Sequence, residues 1–192
     1  LLADYVRGNE APFAELVRRY QPELFSFLLR FVSDPATAED LFQETFIQVH
    51  RSAQSFDLTR RFRPWLFTIA ANKARDYLRA SSRRTTQSLD NQTDSEDATT
   101  FVDLMASDTP PPPDELATAQ HISQVQEVLQ TLPDIYREVL LLSYFHRFAY
   151  KQMSEILGVP LGTVKSRLHA GLAQFAKVFK RRYGAPFEDF DG

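Results

Sequence analysis

The chain has 192 residues, 43% of them hydrophobic and 12% aromatic, enough apolar material for one ordinary domain or two small ones. It has no cysteine, which excludes disulfides, thiolate metal sites and cysteine nucleophiles. No apolar run approaches the roughly 20 residues of a membrane span, and the N-terminus lacks the basic-then-apolar pattern of a signal peptide. A soluble protein of a reducing, cytoplasmic compartment is therefore expected, without membrane insertion, and Leu1 in place of methionine is expected to reflect a trimmed start. The net charge of −3 argues against a polyanionic partner only on average. Residues 1–80 hold 11 Lys+Arg against 10 Asp+Glu, residues 81–120 hold 2 against 8, and residues 121–192 hold 9 against 7. The acidity sits in the middle, between weakly basic flanks.

In the N-terminal part, Phe13, Leu16, Val17, Tyr20, Leu24, Phe25, Leu28 and Phe31 recur at intervals of three and four, which predicts a helix from about Ala11. Asp34-Pro35 supplies an N-cap and a first-turn proline for a second helix to about Ser52. A loop at residues 55–61 precedes a third helix from Phe62 to about Ala80. Residues 1–80 are thus predicted to form a helical bundle.

From Ser81 to about Glu115 the chain is polar and acidic, ends in four consecutive prolines, and has no helical or strand period. Such a segment buries too little to offset the entropy of ordering, so 81–115 is predicted as a linker. Residues 116–183 resume the helical pattern. A first helix carries Ile122, Val125, Val128 and Leu129, and Thr131-Leu132-Pro133-Asp134 offers a cap for a second, to about Phe145. A short helix at 150–157, a break at Gly158-Val159-Pro160, and a last helix from Leu161 to about Arg182 follow. Residues 184–192 form an acidic, aromatic tail. Strand signals are absent, and the fold class expected is all-α, with two small helical domains.

The segment from Tyr150 to Gln174 follows the helix-turn-helix plan. On its second helix Val164, Leu168, Leu172, Phe175 and Phe179 share one side. Ser166, His169, Ala170 and Ala173 lie opposite, flanked by Lys165 and Arg167. Small and hydrogen-bonding residues there are suited to base edges, and the cations to phosphates. Gly162 and Thr163 open the helix, where backbone N–H groups could face a phosphate. The helix from Pro35 turns Ala38, Leu41, Phe42, Thr45 and Val49 inward. Asp40, Gln43, Glu44 and Ile47 face outward, as a protein interface or a solvated face. The helix from Phe62 places Thr68, Asn72, Arg75 and Arg79 on one face behind a loop holding Phe56, Arg60, Arg61 and Arg63. That basic, aromatic segment is suited to tracking a single strand of DNA. Trp65 reads as core.

Together, Asp40-Leu41-Phe42-Gln43-Glu44-Thr45-Phe46, Phe62-Arg63-Pro64-Trp65-Leu66 with Ile69-Ala70-Ala71-Asn72, and Leu157-Gly158-Val159-Pro160-Leu161-Gly162-Thr163-Val164-Lys165-Ser166-Arg167-Leu168 resemble the extracytoplasmic function (group 4, sigma-70 family) sigma factors of bacterial RNA polymerase. The resemblance implies that residues 1–80 are region 2, which binds core polymerase and melts the promoter −10 element. Residues 116–183 would then be region 4, which reads the −35 element. It implies core polymerase, through the β′ coiled coil and the β subunit, and promoter DNA as partners, and leaves an anti-sigma factor open as a third. Asp40, Gln43, Glu44 and Ile47 would dock on the β′ coiled coil. Phe56, Arg60, Arg61, Asn72 and Arg75 would take the −10 strand. Gly162, Thr163, Lys165, Ser166, Arg167 and His169 would engage the −35 duplex. In one departure, Ala170-Gly171-Leu172 stands where many members carry arginines. Fewer phosphate contacts are expected, along with a helix-interior glycine costing about 1 kcal/mol relative to alanine.

No cofactor or metal is expected. None of His50, His121, His146 and His169 has a carboxylate three residues before it, and neither a Walker A lysine motif nor a Gly-x-Gly-x-x-Gly loop occurs, so an enzyme is disfavoured. The alternative is a stand-alone helix-turn-helix regulator, which would bind duplex DNA without polymerase.

Overall fold

The computed structural model describes the backbone of residues 1–8, 11–88 and 113–184, and the side chains of 1–8, 11–84 and 121–184. The middle of the expected linker, residues 89–112, and the tail from residue 185 lie outside them. Among the described residues there are eight α-helices and no strand: α1 (Leu2–Val6), α2 (Ala11–Val32), α3 (Pro35–Ser52), α4 (Phe62–Ser88), α5 (Pro113–Thr131), α6 (Asp134–Leu140), α7 (Tyr150–Leu157) and α8 (Leu161–Tyr183).

Local chemistry sets the ends. The Asp34 carboxylate accepts the Thr37 amide at 2.7 Å, with Pro35 in the first turn of α3. This hydrogen bonding holds the Asp34 carboxyl below its ordinary range. Helix α2 ends at Ser33, whose amide still donates to the Leu29 carbonyl at 2.8 Å while its φ of 61° turns the following chain out of the helix. Two expectations are corrected. Thr131 does not cap α6, because Pro133 holds the N-cap position and the Thr131 hydroxyl donates to the Val128 carbonyl in the preceding helix. The helices also invade both ends of the expected linker, α4 running to Ser88 and α5 starting at Pro113. Once α4 is nucleated, each added residue needs only tolerable propensity, and Pro113 stands at a first position, where the missing N–H costs nothing.

Helices α2, α3 and α4 enclose Leu24, Phe27, Leu28 and Phe31, Leu41, Phe46 and Val49, and Leu66, Phe67, Ala70 and Ala74. The second unit packs α6 on α8 and α7 on α8 around Val139, Leu141, Leu142, Met153, Ile156, Val164 and Phe175. The two halves do not merely share a tether. Their cores join along α4 and α7, with Phe67 and Phe148 in edge contact at 4.8 Å.

A π-helical turn, Leu141–Phe145, makes that junction. It brings the His146 amide to the Leu141 carbonyl at 3.1 Å and leaves Arg147 at a φ of 49°, which redirects the chain so that Phe148 enters the seam.

Candidate core-binding and nucleic-acid surfaces

On α3 the Thr45 hydroxyl is buried by donating to the Leu41 carbonyl at 2.6 Å, and Phe46 joins the core. The opposite face carries Asp40, Gln43 and Glu44, all exposed, and Ile47 at 50% exposure. Glu44 pairs with Lys73 of α4 at 2.9 Å, a surface bridge that fixes the edge of this face. Ile47 is thus a half-exposed isoleucine on a face that also carries Asp40, Gln43 and Glu44.

The loop before α4 folds over a small apolar cluster. Phe56 stacks on Trp65 with ring centroids 4.3 Å apart, and both pack near Leu2, Leu16 and Ala53. Trp65 is therefore mainly a packing residue, and Phe56 is held against it instead of standing free. Asp57 accepts the Thr59 amide at 3.0 Å and its hydroxyl at 2.7 Å, which shapes the loop tip and lowers the Asp57 carboxyl. Beyond it Arg60 and Arg61 are exposed. With Pro64, Trp65, Thr68 and Glu155 they line a cavity of about 190 Å³. Asn72 and Arg75 lie further along α4, where Arg75 Nη2 donates to Asn72 Oδ1 at 2.5 Å. Local sequence gave no sign of Glu155 in this set, because its partner Arg60, at 3.7 Å, belongs to the other half of the chain.

In the second unit, Ala149 donates its amide to Gln152 Oε1 at 3.1 Å, capping α7. Helix α7 ends at Gly158, whose φ of 64° gives the left-handed turn, and the Ser154 hydroxyl donates to the Val159 carbonyl at 2.5 Å. This sets α8 across α7. Val164, Leu168, Phe175 and Phe179 are buried, whereas Lys165, Ser166 and His169 are exposed on one face and Arg167 is half-buried. No side chain caps α8. Gly162 is exposed in its first turn, and the Thr163 amide donates to the Pro160 carbonyl at 2.9 Å. Gly171 is buried against α6.

An outward acidic face, a basic cavity beside a helix, and a helix-turn-helix whose second helix exposes polar side chains thus occur in one chain. Residues 16–84 match the family model of Sigma-70 region 2, and residues 122–175 match that of Sigma-70 region 4. The chain belongs to the sigma-70 family. It is 31% identical over 174 residues to the ECF RNA polymerase sigma factor SigW of Bacillus subtilis, covering 91% of this chain and 92% of that protein. It is 33% identical over 171 residues to the RNA polymerase sigma factor CarQ of Myxococcus xanthus, covering 89% and 91%. Its fold is shared with the sigma factor RpoE of Bartonella quintana, solved in complex with the anti-sigma factor NepR, at a TM-score of 0.68 and 22% identity over 88% of this chain and 97% of that one. CnrH, solved with the cytosolic domain of CnrY, gives 0.66 and 22% over 94% and 95%. The protein is an alternative sigma factor, a non-enzymatic subunit that joins RNA polymerase and directs promoter-specific transcription initiation. Among the described residues no helix is long and apolar enough to cross a membrane.

Proposed function

We propose that this sigma factor divides its work among three surfaces. Asp40, Gln43, Glu44 and Ile47 dock on core polymerase at its β′ coiled coil. Arg60, Arg61, Asn72 and Arg75, on the rim that Phe56 and Trp65 stiffen, take the displaced −10 strand, and the cavity beside Thr68 receives an extruded base. Lys165, Arg167 and Thr163 hold the −35 phosphates while Ser166 and His169 meet base edges. The reaction takes place in the cytoplasm, where polymerase and promoter are.

The observation that carries this reading is the division of α8, with four apolar anchors buried and Lys165, Ser166 and His169 open on the opposite side. The RpoE neighbour is held by an anti-sigma factor in its structure, and an inhibitory protein of that kind is the further partner this reading allows. The test is transcription with core polymerase on a genomic promoter library, followed by permanganate footprinting of the start regions. Start sites should share two sequence elements at a fixed spacing. His169→Ala should change the upstream element only, and Arg60→Ala with Arg61→Ala should reduce melting at the downstream one. Unchanged elements and unchanged melting in these variants would overturn the assignment.

A further inference from the structure

The loop between α3 and α4 is anchored on both flanks and presents one apolar side chain to solvent. Phe56 and Phe62 meet Trp65 from the two sides, with ring centroids 4.3 and 5.8 Å away, and Ala53 at the start of the loop is buried. The tip is a β-turn closed by the Arg60 amide, which donates to the Asp57 carbonyl at 3.0 Å. The Asp57 carboxylate locks it by accepting both the Thr59 amide and the Thr59 hydroxyl. Leu58 is the first of the two central residues of this turn, and it is 50% exposed.

A single exposed leucine is ordinary on a protein surface, so its placement carries the argument. Leu58 is followed closely by Arg60 and Arg61, both exposed, and these arginines line the cavity of about 190 Å³ with Pro64, Trp65, Thr68 and Glu155. Cations so placed reach the phosphates of a strand, and the cavity takes a base that has left the stack. An extruded base leaves an apolar gap between its former neighbours, and apolar side chains such as leucine are suited to filling gaps of that kind. The anchored flanks and the closed turn fix the direction of Leu58, so little conformational freedom remains to be lost when it enters a base stack.

We propose that Leu58 is a melting wedge: it enters the base stack at the −10 element and takes the place of the base that passes into the adjoining cavity, so that strand separation begins at the loop tip. The proposal rests on the −10 assignment above and adds to it a residue that meets bases through apolar surface alone. A leucine side chain has no polar atom with which to read a base edge, so it sets where the duplex opens and not which base is taken. Arg60 and Arg61 hold the strand once it is single, whereas Leu58 acts only while a stacked duplex is being opened.

The test uses the full-length protein with core polymerase on a promoter recovered from the library. Its −10 element carries 2-aminopurine, and it is prepared once as a full duplex and once with that element held open by mismatches. Leu58→Ala and Leu58→Asn should slow the fluorescence rise on the duplex at least tenfold, and Leu58→Met should stay within twofold of wild type. All three should initiate from the mismatched template as wild type does. Because Leu58 is exposed on a turn these variants should fold normally, which circular dichroism and co-purification with core check. Native opening of the duplex by Leu58→Ala and Leu58→Asn, or an equal loss on both templates, would overturn the wedge. Arg60→Ala with Arg61→Ala tests the −10 assignment separately and should be impaired on both templates. If that pair is native on both, the assignment fails and the wedge with it; if it is impaired while Leu58→Ala is native on both, the wedge alone falls.

Discussion

Gly171 of α8 lies directly against Tyr136 of α6: a Cβ at position 171 would sit 3.2 Å from the Tyr136 Cβ and 3.6 Å from Leu140 Cγ. Read as sequence, this glycine is a defect in a recognition helix. In the structure it is the point that lets α6 and α8 approach, below the face that carries Lys165, Ser166 and His169. Gly171→Ala should therefore fail to deliver the gain of about 1 kcal/mol that helix propensity alone promises. Gly171→Leu, which forces the helices apart, should cost about 1–3 kcal/mol. Urea denaturation midpoints decide this, and a clear stabilisation by alanine would show that the contact yields freely.

Arg137 is buried and donates to four carbonyls: Phe31 at 2.7 Å, Leu132 at 3.1 Å, Leu129 at 3.2 Å and Gln130 at 3.3 Å. Only the guanidinium fork reaches so many acceptors at once. Arg137→Lys keeps the charge but strands several buried carbonyls, and should cost roughly 2–4 kcal/mol. A lysine variant of native stability in thermal or urea unfolding would contradict this.

Two carboxylates at the seam should give stability opposite pH slopes. Burial raises Glu138 to about 7, against the attraction of Arg75, Arg167 and Arg79 and with a further push from Asp134. Burial also works to raise Glu23, but hydrogen bonding to His146 and Arg63 outweighs it and brings that carboxyl to about 2. Since Glu138 binds its proton more tightly when folded, its contribution is fully present below about 4.5 and is lost as the pH rises to about 7, a change on the order of 3 kcal/mol. Glu23 is the reverse, contributing above about 4.5 and losing that contribution as the pH falls towards 2. Unfolding free energy measured from pH 3 to 8 should lose its descending limb between about 4.5 and 7 in Glu138→Gln, and its acid limb in Glu23→Gln. Parallel curves for wild type and variants would contradict the placement of both groups.

Much of this was legible because helical periodicity is local. Asp34-Pro35 marked the start of α3 and Gly158 the turn before α8, and the structure places both there. The outward set on α3 followed from the same projection. The seam was not legible, because its pairs join distant parts of the chain and involve residues that composition assigns to the surface, such as Arg137, Glu138 and His146. On α4 the polar face of Thr68, Asn72, Arg75 and Arg79 was legible, but burial of both Phe67 and Ala74 was not, because it depends on α2 and α3 covering one side of the helix and α7 another.

Lys165→Ala should weaken binding to −35 duplex DNA about equally across sequences, and lower the slope of log affinity against log salt by about one if the ammonium neutralises one phosphate. Ser166 and His169 variants should instead shift base preference at an unchanged slope. Fluorescence anisotropy titrations at several salt concentrations separate these outcomes, and three variants indistinguishable from wild type would remove α8 from recognition.

The proposed role of the outward face of α3 is to join this protein to RNA polymerase. Asp40→Lys with Glu44→Lys reverses two exposed carboxylates and breaks only the surface bridge to Lys73, changes that cost the fold within about 0.5 kcal/mol. Against a complementary polymerase surface the same reversal costs several kcal/mol in association. Co-purification with core polymerase, alongside circular dichroism of the free variant, is the most direct measurement. The expected result is native helical content with core binding and promoter-specific transcription lost together; a folded double variant that binds core with native affinity would show that this face does not dock on polymerase.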